Sequence, residues 1–316
     1  MKIVSSGNIH LDITLNLEKR FNEHDFCWHE NMSQAEADLK DADVFITYGE
    51  DMEPHHIETA SRLKWIMIVS AGMDEMPFQE VAAKNILVTN AKGIHAVPMA
   101  EYSMHMMLHT ARKTPVVQAQ EKEHRWSREP VMNELYGASL LIAGAGAIGS
   151  RTAELAKAFG MHVTGINRSG GESPYFDRLL DVSRLPEALE DADYVISILP
   201  KTEETTNFFS MDQFRQMKQS GVFINIGRGN AVHEQDIITA LDEGEFSHAC
   251  LDVFNEEPLP EDHPFWAHPS ITVTPHLSGI SPMYQPRAME IFEKNLTVFL
   301  SGKGEYINQV DPVRGY

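Results

Sequence analysis

Three groups of residues in this 316-residue sequence have types and spacings suited to chemistry. The first is Gly144-Ala145-Gly146-Ala147-Ile148-Gly149, a Gly-x-Gly-x-x-Gly run placed directly after the apolar stretch Leu140-Leu141-Ile142-Ala143. Gly144 permits a tight turn, Gly146 lets the backbone approach a pyrophosphate, and Gly149 lets a helix pack close against the strand. The amides and positive dipole end at the helix start, around Ala147 and Ile148, suit an anion. Alone, such a run is only a glycine-rich turn. Here a helix-like segment continues to Phe159, Gly160 ends it, and residues 162–167 supply a second strand, so the context is a βαβ unit of dinucleotide-binding length. The second group is Arg228, Glu257 and His276, which follow the apolar runs 222–226, 249–253 and 271–274. Ligands of open α/β sheets sit beyond the carboxyl ends of strands. Taken singly, these are a surface arginine, a loop carboxylate before proline and one of fifteen histidines; together they fall on the side that the dinucleotide would occupy. The third is Asn167-Arg168-Ser169, at the end of the second strand, where NAD sites place an acid for the ribose 2′-OH. No carboxylate stands there, and Arg168 and Ser169 suit a phosphate, so NADP(H) is the preferred cofactor and NAD(H) a possible one. The plain alternative is a solvated turn arginine indifferent to the two.

These residues need a scaffold, and the sequence alternates strands with helices throughout. Residues 2–6, 26–28, 43–48, 64–70 and 86–89 read as strands of one parallel α/β sheet, complete before the glycine run. After it, 140–143, 162–167, 193–200, 222–226, 249–253 and 271–274 give six strands, the number of a doubly wound dinucleotide fold, with helices at 211–218 and 233–243. A last helix, 287–300, lies beyond that domain and is expected to return to the first one. The expected architecture is therefore α/β in two domains: a substrate domain of residues 1–95 and 284–316, and a dinucleotide-binding domain of residues 96–283, with the two chain crossings acting as a hinge over a cleft. Pro98 opens a long helix with Met99, Met104, Met106 and Met107, read as core or subunit interface. His105 and His109 share its face, but no acidic partner makes a metal motif, and no metal is expected. Residues 114–130, with Trp126, read as an excursion that could exchange between copies of a homodimer.

Composition agrees with this. At 316 residues, 42% hydrophobic and 23% charged, the chain is an ordinary globular one, too long for a single core. No apolar run is of membrane-spanning length and no signal-peptide core opens the sequence, so a cytoplasmic protein is expected. Cys27 and Cys250, the two cysteines, have no paired spacing. A formal charge of −20 argues against nucleic acid and against anionic membrane surfaces. It also opposes an anionic cofactor, which makes local cations such as Arg168 necessary.

Five stretches, in order, resemble the D-isomer-specific 2-hydroxyacid dehydrogenases over nearly the whole chain: Gly144 to Gly149; Ile198-Leu199-Pro200 with Thr202 and Thr205; Ile224-Asn225-Ile226-Gly227-Arg228-Gly229; Leu251-Asp252-Val253-Phe254 through Glu257-Pro258; and Thr274-Pro275-His276-Leu277-Ser278-Gly279. The resemblance implies a Rossmann dinucleotide-binding domain beside a smaller flavodoxin-like substrate domain. It implies that Arg228 binds substrate, that Glu257 partners His276, that His276 exchanges the proton, and that Asp252 holds the nicotinamide end. Leu199, Pro200, Thr205, Ile226, Gly227, Ser278 and Gly279 are implied to line the cofactor.

The physics of that reaction is consistent with those roles. A guanidinium fork binds a carboxylate and fixes the adjacent ketone. A protonated imidazole stabilises the oxyanion left by hydride transfer and donates the proton. A neighbouring carboxylate favours the imidazolium and orients it. From the other wall of the site, successive amides of Ser70-Ala71-Gly72 could hold the substrate carboxylate, as the resemblance also implies, although serine at 70 departs from the family's usual glycine. Tyr48, ending another strand, either faces the substrate side chain or is structural. The expected activity is reduction of a small 2-oxoacid to the D-2-hydroxyacid, with glyoxylate or hydroxypyruvate first; a broad 2-oxoacid reductase, a phosphoglycerate dehydrogenase-like enzyme and a dinucleotide-sensing regulator are the alternatives.

Overall fold

The computed structural model describes residues 1–70, 73 and 75–313. The chain forms two compact units, Met1–Ile94 with Ser281–Tyr316, and His95–Ile280. In the first unit, β1 (Lys2–Ser5), β2 (Asp25–Trp28), β3 (Val44–Thr47), β4 (Trp65–Ile68) and β5 (Leu87–Asn90) make a parallel sheet in the order β5-β4-β3-β1-β2. This is the flavodoxin-like order. The strand Gln309–Val310 pairs antiparallel with β5, an addition that the sequence did not signal. Central strands alternate between two cores, as a sheet covered on both faces requires: Phe45, Ile66 and Ile68 point to one side, and Val44, Ile46, Trp65 and Met67 to the other. The helix Tyr284–Ser301 lies on the second side, where Phe292 stacks on Trp65 with ring centroids 5.2 Å apart.

In the second unit, β6 (Ser139–Ala143), β7 (His162–Asn167), β8 (Arg178–Asp181), β9 (Tyr194–Ser197), β10 (Val222–Asn225), β11 (His248–Leu251) and β12 (Ile271–Val273) are all parallel, in the order β12-β11-β10-β9-β6-β7-β8. The direction of winding reverses between β6 and β9, and such switch points open the crevice where ligands bind. Six strands were expected here and seven are present; the addition is β8, a short, partly exposed edge strand with charged ends. The expected helix 211–218 is shorter, Met211–Phe214, closed by turns. The excursion after Thr114 begins as a helix, Thr114–Lys122, and the chain turns irregular only beyond it. Met99, Met104, Met106 and Met107 on the helix Ala96–Ala111 are buried in this unit's own core, which decides between the two readings of those methionines in favour of core. No described helix is long and apolar enough to cross a membrane.

Candidate active site

The glycine run builds a cradle at the switch point. Gly144 follows β6 with φ +109°, and a Cβ there would lie 2.7 Å from the Ile198 carbonyl oxygen. A Cβ on Gly149 would lie 2.3 Å from the Gly144 carbonyl oxygen, so turn and helix touch through backbone alone. At Gly146 a Cβ would meet nothing within 4 Å. That glycine precedes the helix Ala147–Ala158, whose start no side chain caps, and Gly146 and Ala147 are exposed. Open amides at an uncapped helix start, with tight glycines on either side, fit a dinucleotide pyrophosphate. Ile148, in the first turn, is half-buried against the core.

Around this cradle, each strand end contributes a braced loop. After β7, Asn167 Oδ1 accepts the amides of Ser169 (3.0 Å) and Gly170 (2.6 Å), leaving Arg168 and Ser169 exposed. After β9, Thr205 Oγ1 donates to the Pro200 carbonyl (2.6 Å) and accepts the Thr202 amide (2.9 Å), closing the turn after Leu199. After β10, Gly227 packs so close to Leu199 that a Cβ would lie 2.6 Å from its backbone nitrogen, and the Ile226 amide donates to the Ser197 carbonyl at 3.1 Å. Buried Asn225 accepts the Gly227 amide (3.2 Å) and donates to the Arg228 carbonyl (3.1 Å). Arg228 is exposed, its Nη1 donating to the Gly227 carbonyl at 2.9 Å, and no carboxylate among the described residues pairs with it. A Cβ on Gly229 would fall 1.9 Å from the Phe254 carbonyl carbon, so this glycine lets the Arg228 loop meet the loop after β11.

The expected pairing of His276 with Glu257 is formed. His276 Nδ1 and Glu257 Oε2 are 2.6 Å apart, and Glu257 Oε1 accepts the Phe254 amide at 2.9 Å. His276 adopts φ +49°, a left-handed conformation that costs a non-glycine residue about 1–3 kcal/mol unless its surroundings enforce it. They do: its amide donates to the Asp252 carbonyl (2.9 Å) and the Thr274 carbonyl (3.0 Å). The Asp252 side chain, fully buried, accepts from Thr274 Oγ1 (2.5 Å), the Leu277 amide (3.0 Å) and the Ser278 amide (2.9 Å). Asp252 was expected to hold the nicotinamide; with both oxygens turned into this loop, what it grips directly is the backbone that carries His276. Tyr102 extends the chain, its hydroxyl 2.6 Å from Thr274 Oγ1.

Sequence reasoning missed Asn225, Tyr102, Thr274 and His95. Asn225 and Thr274 were visible as polar residues closing apolar runs; Tyr102 and His95, far away in sequence, carried no signal. His95 Nδ1 lies 3.4 Å from the Gly279 carbonyl. Burial, then the charges of Arg228 and His276, hold its imidazole below the ordinary histidine range against the opposing effect of that carbonyl, so the ring stays neutral beside them. In the first unit, Ser70 Oγ donates to the Tyr48 carbonyl at 2.8 Å, and both residues follow strands. Ala71 and Gly72 lie outside the described residues. Glu36, His55 and His56 are grouped closely enough to consider a metal ion. However, His56 Nδ1 accepts the Glu53 amide at 2.9 Å, which puts the neutral ring's proton on Nε2 and suits a donor rather than a ligand.

Comparison with known proteins agrees with this geometry. Residues 104–278 match the family model described as "D-isomer specific 2-hydroxyacid dehydrogenase, NAD binding domain". The glyoxylate reductase of Korarchaeum cryptofilum is 30% identical over 273 residues, 84% of this chain and 82% of that one. A D-isomer specific 2-hydroxyacid dehydrogenase family protein from Aeromonas salmonicida superposes with a TM-score of 0.85 at 31% identity, covering 98% of this chain and 99% of its own. The NADPH-dependent glyoxylate/hydroxypyruvate reductase of Sinorhizobium meliloti, solved with NADP and sulfate, gives 0.82 at 26% identity over 100% of this chain and 99% of its own.

Proposed function

The chain belongs to the D-isomer specific 2-hydroxyacid dehydrogenase family, and from that premise we propose that it reduces glyoxylate or hydroxypyruvate to the corresponding 2-hydroxyacid with NADPH, the D isomer in the case of hydroxypyruvate. The observation that carries this reading is the His276–Glu257 pair at 2.6 Å, held in one loop system with an arginine that has no carboxylate partner among the described residues. In a protein of charge −20, such an arginine is an open site for an anion.

When bound, the cofactor supplies the hydride. Gly144, Gly146, Ala147, Ile148 and Gly149 would hold its pyrophosphate, and the loops of Leu199, Pro200, Thr205, Ile226, Gly227, Ser278 and Gly279 would line it. Arg228 binds the substrate carboxylate through its guanidinium fork and so fixes the ketone beside it. With Nδ1 held by Glu257, His276 presents Nε2 to the carbonyl oxygen, stabilises the charge developing there and donates its proton. Glu257 keeps the ring oriented and balances the imidazolium charge. Residues 1–95 with 284–316 would serve as the substrate domain, with the Ser70 loop at the carboxylate and Tyr48 at the substrate side chain; residues 96–283 would serve as the cofactor domain.

Preference for NADPH rests on exposed Arg168 and Ser169 and the absence of an acid at Asn167. Exposed Trp126, Val131 and Tyr136 beyond the helix Thr114–Lys122 suit burial by a second copy, and the two free cysteines suit a reducing compartment, so the protein is read as a cytoplasmic homodimer. The direct test is a pair of variants. His276→Gln should lose about 100-fold or more in kcat with cofactor affinity kept. Arg168→Ala should weaken NADPH binding far more than NADH binding. Normal turnover in the first sinks the mechanism; equal losses in the second sink the cofactor assignment.

A further inference from the structure

Gln285, half-buried in the first turn of the helix Tyr284–Ser301, uses its whole amide within the first unit. Its Oε1 accepts the His10 amide at 2.8 Å, and its Nε2 donates to the Asn8 carbonyl at 2.7 Å and to the Tyr48 hydroxyl oxygen at 2.9 Å. A backbone N–H can only donate and a backbone carbonyl can only accept, so these partners fix which way the amide points. Tyr48, just past β3, is seated as firmly. Its ring stacks on Tyr284 with centroids 6.3 Å apart and covers Gly7, where a Cβ would lie 2.4 Å from it.

The polarity of this cluster has a chemical outcome. The Tyr48 oxygen accepts from Gln285 Nε2, and Gln285 Oε1 is turned to the His10 amide instead. Among the described residues no acceptor receives the Tyr48 proton. The phenol is thus set as a donor toward something the described residues do not supply. We infer that Gln285 is a positioning residue that fixes Tyr48 as a hydrogen-bond donor, and that the pair selects 2-oxoacids carrying an acceptor oxygen on C3. The inference rests on the reading that Tyr48 meets the substrate side chain. It favours hydroxypyruvate over pyruvate, whose C3 bears only hydrogens.

The test compares kcat and KM for hydroxypyruvate and pyruvate in the parent protein, Tyr48→Phe, Gln285→Glu and the double variant. In Gln285→Glu one carboxylate oxygen can still accept from His10, while the other, which has no proton to give the Asn8 carbonyl, accepts the Tyr48 proton and turns it away from substrate. The ratio of kcat/KM for hydroxypyruvate to that for pyruvate should fall about tenfold in each single variant, the loss of one hydrogen bond. The change should lie mainly in KM, and the double variant should fall no further. NADPH affinity should stay at the parent value. Should Gln285→Glu fail to fold, Gln285→Met removes the grip without adding charge and carries the same test. A fall in Tyr48→Phe with none in the Gln285 variants overturns the role of Gln285 alone. An unchanged ratio in Tyr48→Phe overturns the reading of Tyr48 and the inference with it.

Discussion

In the proposed reaction His276 would exchange the proton, and its setting is made by Asp252. A left-handed histidine is unfavourable by itself, and the surrounding loop over-determines it: two carbonyls take its amide, and the Asp252 carboxylate takes the next two amides and the Thr274 hydroxyl. Glu257 then fixes the ring, and is itself anchored by the Phe254 amide. Asp252→Asn puts an amide NH₂ against a backbone N–H, leaving one of them unsatisfied at a cost of about 1–3 kcal/mol. We expect a lower thermal midpoint and a displaced His276, with kcat reduced roughly 100-fold, as small misplacements of catalytic groups produce. Steady-state kinetics with a parallel melting curve would check this, and unchanged kcat would mean that the loop holds His276 without Asp252.

The strand ends explain why candidate residues could be picked out before the fold was known. Glycine-rich turns after apolar runs have few physical explanations, and Gly144, Gly149, Gly227 and Gly229 all stand where a Cβ would collide with backbone. The loops bearing Arg228, Glu257 and His276 were therefore legible from the order of strand and turn. What was not legible depended on partners distant in sequence. The grip of buried Asp252 on the amides of Leu277 and Ser278, 25 and 26 positions away, has no mark in the sequence. Gln285 bonds to a residue 275 positions away. Strand β8, Arg178-Leu179-Leu180-Asp181, is too short and too charged at its ends to announce itself, and is formed by pairing with β7. The methionine helix left core and interface open because both demand the same apolar spacing; its packing in the second unit decides it.

Taken as a molecule, the chain joins two parallel sheets whose strands alternate between paired cores, and its acid response should depend on what those cores bury. Burial, followed by the charges of His109, Lys113 and His268, pushes His248 from 6.5 to about 4. Its Nε2 lies 2.9 Å from Thr272 Oγ1. Between those two values the unfolded chain binds a proton that the folded chain does not. This contribution to stability is therefore complete above pH 6.5, declines as the pH falls toward 4, and is flat below. His248→Gln, which keeps a hydrogen-bonding group but cannot titrate, should show a shallower loss of urea midpoint across that window; an identical slope would show that His248 is not the group responsible. Catalysis separates a reductase from a cofactor-sensing regulator, which would bind the dinucleotide without turning it over. The most direct measurement is NADPH oxidation by the unmodified protein with glyoxylate, hydroxypyruvate, pyruvate, phosphohydroxypyruvate and branched 2-oxoacids. We predict rapid oxidation with glyoxylate or hydroxypyruvate, slower with NADH; tight NADPH binding with no oxidation across the panel would contradict it.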